Sequence, residues 1–265
     1  MGTSGTAKNT SIAMRLALHQ SGEVATRAGR ILLAERSLTA IGLVDKNPTE
    51  KDDRLERAEV LATYDALITD DPNPSPQIET ALTAGISCVV WVDADGAEAE
   101  YGDAFAAADL KLLTGCNLGS GIAPSLTAHE VAGAGTILDV TTAWTEPGKP
   151  RRRGEAIPFP DPIGSRWAEP RETAYTDRAF IAKVAGEWAG AMARVTAATE
   201  AGVVTRIVGV SDLAVHLEAL ALATGAMVLG EYPTGASQPA DFADEYLSRA
   251  LETGLDVAAH THQGN

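Results

Sequence analysis

The chain has 265 residues, a formal net charge of −15, an apolar fraction of 45% and a charged fraction of 22%, which suits a globular protein with a substantial core in one large or two small domains. The acidic balance excludes nucleic acid as the main partner, because neutralising phosphates requires a basic surface and only Arg151-Arg152-Arg153 is locally basic. No apolar run approaches the roughly 20 residues that span a bilayer, and Met1 to Thr6 lack the basic and apolar regions of a signal peptide, so a cytoplasmic, non-membrane protein is expected.

In chain order, Thr10 to His19 carries Ile12 and Leu16 at helical spacing and predicts a helix, with Asn9, Thr10 or Ser11 as its N-cap. Val24 to Glu35 predicts a second helix. Ile41 to Asp45 is a short apolar run ending on an acid and reads as a strand; Arg54 to Ala62 has a helical pattern. Asp65 to Pro72 is a strand closed by a turn. Pro76 to Ala84 is helical and stopped by Gly85, and Ile86 to Val92 returns as a strand. Strand, helix and strand at this spacing form a βαβ unit, which demands a parallel sheet. Ligands of such sheets bind at the carboxyl ends of the strands, where Asp45 and Asp70-Asp71-Pro72 stand. Leu110 to Leu113 is another strand. The glycine-rich bend Gly115 to Gly121 follows, then a helix with Pro124 in its first turn and Leu126 to Val131 in its body.

The texture then changes. Thr136 to Trp144, Glu155 to Phe159, Ala191 to Ala197 and Val203 to Val210 read as strands joined by Gly and Pro turns rather than helices, so a largely antiparallel second sheet is expected. Leu213 to Leu229 and Ala240 to Thr253 are helical, and Leu255 to Ala259 is a last short strand. The fold class is α/β: a Rossmann-like parallel domain over residues 1–115, followed by an α+β domain over 116–265 whose final helices can pack back on the first. Cys88 and Cys116 are too few for a disulfide framework or metal cluster. His260 and His262 make a pair without a third ligand, so no metal is assigned.

Three passages resemble the two-domain nicotinamide-dependent oxidoreductases related to saccharopine reductase, dihydrodipicolinate reductase and the glucose-fructose oxidoreductase group. They are Ile41 to Pro48, Asp65 to Asp93, and the ending Leu247 to Val257. The resemblance implies a dinucleotide lying across Thr6, Asn9, Thr10 and Ser11, the acid Asp45, and Asp70, Asp71 and Pro72. Asp45 is placed to accept from a ribose 2′-hydroxyl, which favours NAD; Lys46 beside it keeps NADP open. Two departures stand out. Too few residues precede Gly5 for a first strand, and Gly2 and Gly5 do not form Gly-x-Gly-x-x-Gly, so either the chain starts downstream of that strand or the phosphate site is altered. The strand ending Val92-Asp93 also lacks the Glu-Lys-Pro of the glucose-fructose oxidoreductase group, which disfavours that branch.

The same resemblance places a small-molecule substrate between the bend and a second-domain loop. Asn117 and Ser120 would reach nicotinamide or substrate, with a plain glycine hinge as the alternative. His129 is a natural proton donor near neutrality, although a lone helical histidine is more often structural; the same holds for His216 and Glu218. Asp161, Ser165, Arg166 and Trp167 sit in a proline-stiffened loop in which Arg166 would orient a carboxylate. The expected activity is hydride transfer to or from a small carbonyl, imine or amino-acid substrate, in a homodimer. The rival is a degenerate Rossmann-derived binding or assembly module.

Overall fold

The structure is a computed structural model and describes residues 14–48, 51–93, 96–173, 176, 178–200 and 202–263. The first half runs β1 (Met14–His19), α1 (Glu23–Leu33), β2 (Leu38–Leu43), β3 (Leu55–Arg57), β4 (Ala66–Thr69), α2 (Ser75–Ala84), β5 (Ser87–Val90), α3 (Ala97–Ala107) and β6 (Lys111–Leu113). A π turn, Leu118–Ile122, leads into α4 (Ala123–Ala132). There follow β7 (Thr136–Pro147), β8 (Glu155–Pro158), β9 (Ser165–Arg171), β10 (Ala179–Val184), β11 (Trp188–Thr199), β12 (Gly202–Leu213), α5 (Ala214–Val228), β13 (Gly235–Ser237), α6 (Ala243–Glu252) and β14 (Ala258–Gln263).

The first sheet has the order β13-β6-β5-β4-β1-β2-β3, with every adjacent pair parallel. The second has the order β14-β12-β11-β7-β10-β9-β8 and is antiparallel except where β10 runs parallel to β7. The α/β class and the two kinds of sheet therefore stand as expected.

Two local expectations are corrected. Residues 14–19 form a strand, not the end of a helix, and that strand lies between β4 and β2 in the first sheet. Leu16, Ala17 and Leu18 are fully buried in succession, the mark of a central parallel strand covered on both faces; the spacing of Ile12 and Leu16 only mimicked a helix. The first strand is thus present. The segment around Leu55 is likewise a strand. It pairs with Ile41–Leu43 as the sheet edge, and Glu56 there accepts from Arg15 (2.6 Å) and Tyr64 (2.7 Å). Three short strands had no clear pattern of their own: β9, β10 and β13. The last returns from the second half to close the first sheet against β6.

Helix α5 explains why the halves form one core. It is apolar all round, with Leu217 and the run Ala219 to Ala226 buried, as expected of a helix surrounded by protein. The stretch Ala214–Glu231 is long and apolar enough to cross a membrane, but 61% of it is buried inside the molecule, packed on α1, α6 and the second sheet. A single apolar cluster joins Leu16, Leu18 and Ile68 of the first sheet, Leu220 of α5, and Ala191 and Val208 of the second.

Candidate functional site

A cleft of about 1070 Å³ opens between the carboxyl end of β5 and the second sheet. Its floor is Trp91 and Asp93 just beyond β5, its side the turn at Asn117–Ser120, and its roof Trp144–Pro147 of β7 with Pro170–Thr173 at the end of β9. Glu218 of α5 completes it from behind. This is the position at which open parallel sheets bind ligands, outside the carboxyl ends of the strands.

The lining is held by hydrogen bonds that use up several of its polar groups. Asn117 donates through Nδ2 to the Trp91 carbonyl (2.9 Å), and its Oδ1 accepts from the Ser120 N–H (2.8 Å), so it caps the π turn and ties it to β5. Ser120 donates to Asp93 (3.2 Å). Gly119 lies flat against the Trp144 indole; a Cβ there would stand 2.8 Å from Nε1. Glu218 accepts at Oε2 from Trp91 Nε1 (2.7 Å) and the Leu118 N–H (3.1 Å). Burial pushes the Glu218 carboxyl above its ordinary value, the two hydrogen bonds oppose the shift, and the charge of Glu146 adds to it.

The charges lining the cleft are mostly negative: Asp93, Glu146, Glu172 and Glu218 against Arg171. Lys183 pairs with Glu146 at 2.5 Å and neutralises it. Among the described residues, three carboxyl groups and two indoles therefore face a space with one guanidinium at its rim. Such a lining favours a cationic or zwitterionic small molecule, with ammonium towards the acids and any carboxylate towards Arg171.

The other carboxyl-end feature is the β1–α1 turn, His19-Gln20-Ser21-Gly22, which stands where the fold type carries its phosphate loop. Read at this place, the six positions are Gln20-Ser21-Gly22-Glu23-Val24-Ala25, in which only Gly22 and Ala25 keep the small residues of Gly-x-Gly-x-x-Gly/Ala. Asp45 then lies close to the ~20 residues downstream that the fingerprint calls for. Gly29 supplies the close helix–strand approach, since a Cβ there would meet Leu18 at 2.8 Å. Part of the N-terminal donor set of α1, Gly22 N and Ala25 N, is engaged. Asp70, buried at the end of β4, accepts from Ser21 N (2.8 Å), Ser21 Oγ (2.7 Å), Gly22 N (3.2 Å) and Ala25 N (2.9 Å). The fit to a dinucleotide pyrophosphate is therefore partial: Asp70 takes Gly22 N and Ala25 N, and Gln20 stands at the first glycine of the fingerprint.

The remaining expected residues are dispersed. Asp45 is exposed with a left-handed φ of 57°, and Lys46 donates to the Gln20 carbonyl at 2.7 Å, so both stand beside the β1–α1 turn. A cavity of about 220 Å³ is lined there by Thr26, Arg30, Lys46 and Asn47. Asp71 accepts from Asn73 N (2.9 Å) and Gln77 Nε2 (3.3 Å) and shapes the turn through Pro72 into α2. Thr6, Asn9, Thr10 and Ser11 lie outside the described residues. His129 is on α4, paired with Asp244 of α6 at 2.7 Å, and does not line the cleft. Neither do Asp161, Ser165, Arg166 and Trp167. Asp161 accepts from Ser211, Arg166 folds back on the Ser165 carbonyl (2.9 Å), and Trp167 borders a separate cavity of about 170 Å³ with Arg151 and Lys183. Of the expected residues that are described, Asn117 and Ser120 join the cleft.

Trp91, Trp144, Arg171 and Glu218 had not been assembled from the sequence. Glu218 left a signal, a lone acid inside an apolar helix; the two indoles and Arg171 left none, because their convergence depends on how the sheets face each other.

No protein-family model and no curated protein sequence matches the chain. Solved structures do match in shape. Saccharopine dehydrogenase (L-Glu forming) from Saccharomyces cerevisiae superposes with a TM-score of 0.67 at 10% identity, covering 94% of this chain and 100% of that one. Dipicolinate-bound dihydrodipicolinate reductase from Paenisporosarcina sp. TG-14 gives 0.56 at 10% identity, covering 85% and 97%. DAP dehydrogenase from C. glutamicum in complex with DAP gives 0.56 at 11% identity, covering 90% and 99%. At these identities the likeness concerns the fold, and it spans nearly the whole of each molecule: the chain has a Rossmann-like parallel sheet followed by a mostly antiparallel one, in the same overall fold as these structures.

Proposed function

We propose that this chain is an oxidoreductase of the two-domain nicotinamide type acting on a small amino-acid or amine-bearing substrate bound in the interdomain cleft. The observation that carries the reading is the cleft itself, at the carboxyl end of β5 and lined by Asp93, Glu218, Trp91 and Trp144 with Arg171 at its edge. The fold neighbours include a saccharopine dehydrogenase (L-Glu forming) and a DAP dehydrogenase in complex with DAP, in keeping with an amino-acid-like substrate. In this scheme Asp93 and Glu218 receive the ammonium, Arg171 receives the carboxylate, and the indoles exclude water around the carbon between them.

Calorimetry with a basic diamino acid, a neutral amino acid and a dicarboxylate tests the substrate class. Binding of the amine-bearing ligands, weakened about tenfold by Glu218→Gln, is expected; binding of the dicarboxylate alone would reverse the reading. NAD and NADP both remain candidates, NAD by Asp45 and NADP by Lys46 and Arg30 around the smaller cavity. A homodimer formed where Ile137, Leu138 and Val203 are exposed at one end of the second sheet belongs to the same proposal. Sedimentation equilibrium showing a monomer at every concentration removes that part.

A second reading, a ligand-binding module without redox turnover, is favoured by one specific observation: Asp70 on part of the donors of α1.

A further inference from the structure

The sheet face that roofs the cleft continues past its rim. Ile181 of β10 stands opposite Trp144 of β7 and Glu169 of β9, and Lys183 stands opposite Glu146. Because side chains alternate along a strand, Trp167, two residues before Glu169, lies on this same face. The cavity of about 170 Å³ bordered by Trp167 shares Glu146, Pro170 and Arg171 with the cleft. The two spaces are therefore neighbours along one surface.

Their polar groups differ in what they have left to offer. Lys183 closes on Glu146 at 2.5 Å, and Arg151 on Glu169 at 3.3 Å. Arg171, at the edge common to both spaces, is exposed and makes no ion pair among the described residues. Between the two closed pairs the smaller cavity presents Pro170, Ile181 and the indole of Trp167, which is 47% exposed. A large apolar side chain left open in a concave site marks a place where a ligand is covered. The volume suits one six-membered ring, since a cavity of about 150 Å³ holds benzene.

We propose that this cavity is the side-chain subsite of the cleft and selects a neutral, flat group, so that the substrate is an aromatic amino acid. The proposal rests on the amino-acid reading of the cleft. A substrate α-carbon at the shared edge is then fixed at three points: its ammonium by Asp93 and Glu218, its carboxylate by Arg171, and its ring over Trp167 and Ile181. A charged side chain would have to break an ion pair that the cavity already contains. A ring leaves both pairs intact and gains contact with the indole beyond plain burial.

The test is calorimetric titration of the full chain and of Trp167→Ala, repeated with NADH or NADPH present. The ligands are alanine, phenylalanine and lysine, each as both enantiomers, and 3-phenylpropionate, which keeps the ring and carboxylate and lacks the amine. The ligand series on the native chain is informative by itself, and the variant is checked for native circular dichroism. One enantiomer of phenylalanine is expected to bind about tenfold tighter than alanine or lysine, and Trp167→Ala to remove that preference while leaving alanine within about twofold. Equal affinity for alanine and phenylalanine, a preference for lysine, or a ring preference that survives in Trp167→Ala overturns the subsite and leaves the amino-acid reading standing. Binding of 3-phenylpropionate that depends on Trp167, without binding of any amino acid, supports the ring subsite and removes the amino-acid reading. No binding of any ligand overturns both.

Discussion

Glu218 shows how one side chain acquires its properties from residues distant in sequence. Its carboxyl is held by Trp91 and by the backbone of Leu118, both in the first half of the chain. Replacing it with Ala leaves an indole N–H and a backbone N–H without their acceptor, and a loss of about 2 kcal/mol is expected in urea denaturation. Glu218→Gln keeps an acceptor oxygen and is expected to cost less than half as much. The pH response separates the two effects. Because burial raises this carboxyl above its ordinary 4.5, the folded chain holds the proton more tightly than the unfolded chain. Its contribution is therefore most favourable below pH 4.5 and is lost as pH rises through the folded value. The difference in stability between the native chain and Glu218→Gln, followed from pH 4 upward, is expected to shift in favour of Gln; a flat difference contradicts the burial. Cys88 obeys the same physics, its thiol pushed up to about 12 by burial, so thiol reagents at neutral pH are expected to label it only after unfolding.

At the scale of elements, α5 and its neighbours decide how closely the sheets approach. Gly225 faces the first sheet, and a Cβ there would come within 2.5 Å of Cys116 Sγ and 3.2 Å of Val89. Gly225→Leu is expected to cost up to about 3 kcal/mol by overpacking against the ~1 kcal/mol gained in helix propensity, with a fall in the urea midpoint as the measure. Tyr246 of α6 is fully buried and donates to the Ala221 carbonyl of α5 at 2.8 Å. Tyr246→Phe is expected to cost about 1 kcal/mol. The element boundaries legible in the sequence were those with local punctuation: α2 ends on Gly85 in the left-handed conformation at φ 71°, and the bend at Gly115 at φ 72° lies against Ser120. The misread elements were β1, β3 and the start of β9, where Ser165, Arg166 and Trp167 pair with β8 as a strand rather than closing a loop. A central strand buried on both faces and a three-residue edge strand have no alternation to report, so isolated apolar positions suggested helices instead.

At the scale of the whole molecule, the halves are interdependent. The buried face of α1, Ala25, Ala28 and Leu32, packs on α5, and β13 supplies the edge of the first sheet. A fragment ending at residue 115 therefore exposes that face, and is expected to bind a hydrophobic dye and melt without cooperativity, unlike the intact chain. A compact, cooperatively melting fragment would show the first sheet to be self-sufficient.

Local patterns carried the class of fold, the parallel first half, the β-rich second half and the helices after them, because periodicity reports how each segment meets its own surroundings. They also placed Asp45 and Asp70 at strand ends, where such sheets bind ligands. The partner of Asp70 was not legible. The carboxylate meets donors 45 to 49 residues away, and no local pattern distinguishes an acid that awaits a ligand from one that binds the chain's own backbone. The cleft is of the same kind: Trp91, Trp144, Arg171 and Glu218 come from four separate elements and converge only because α5 fixes one sheet against the other. Sequence by itself determined the elements and the edge at which ligands bind; the tertiary structure decided which side chains meet there, since that depends on long-range packing and not on spacing along the chain.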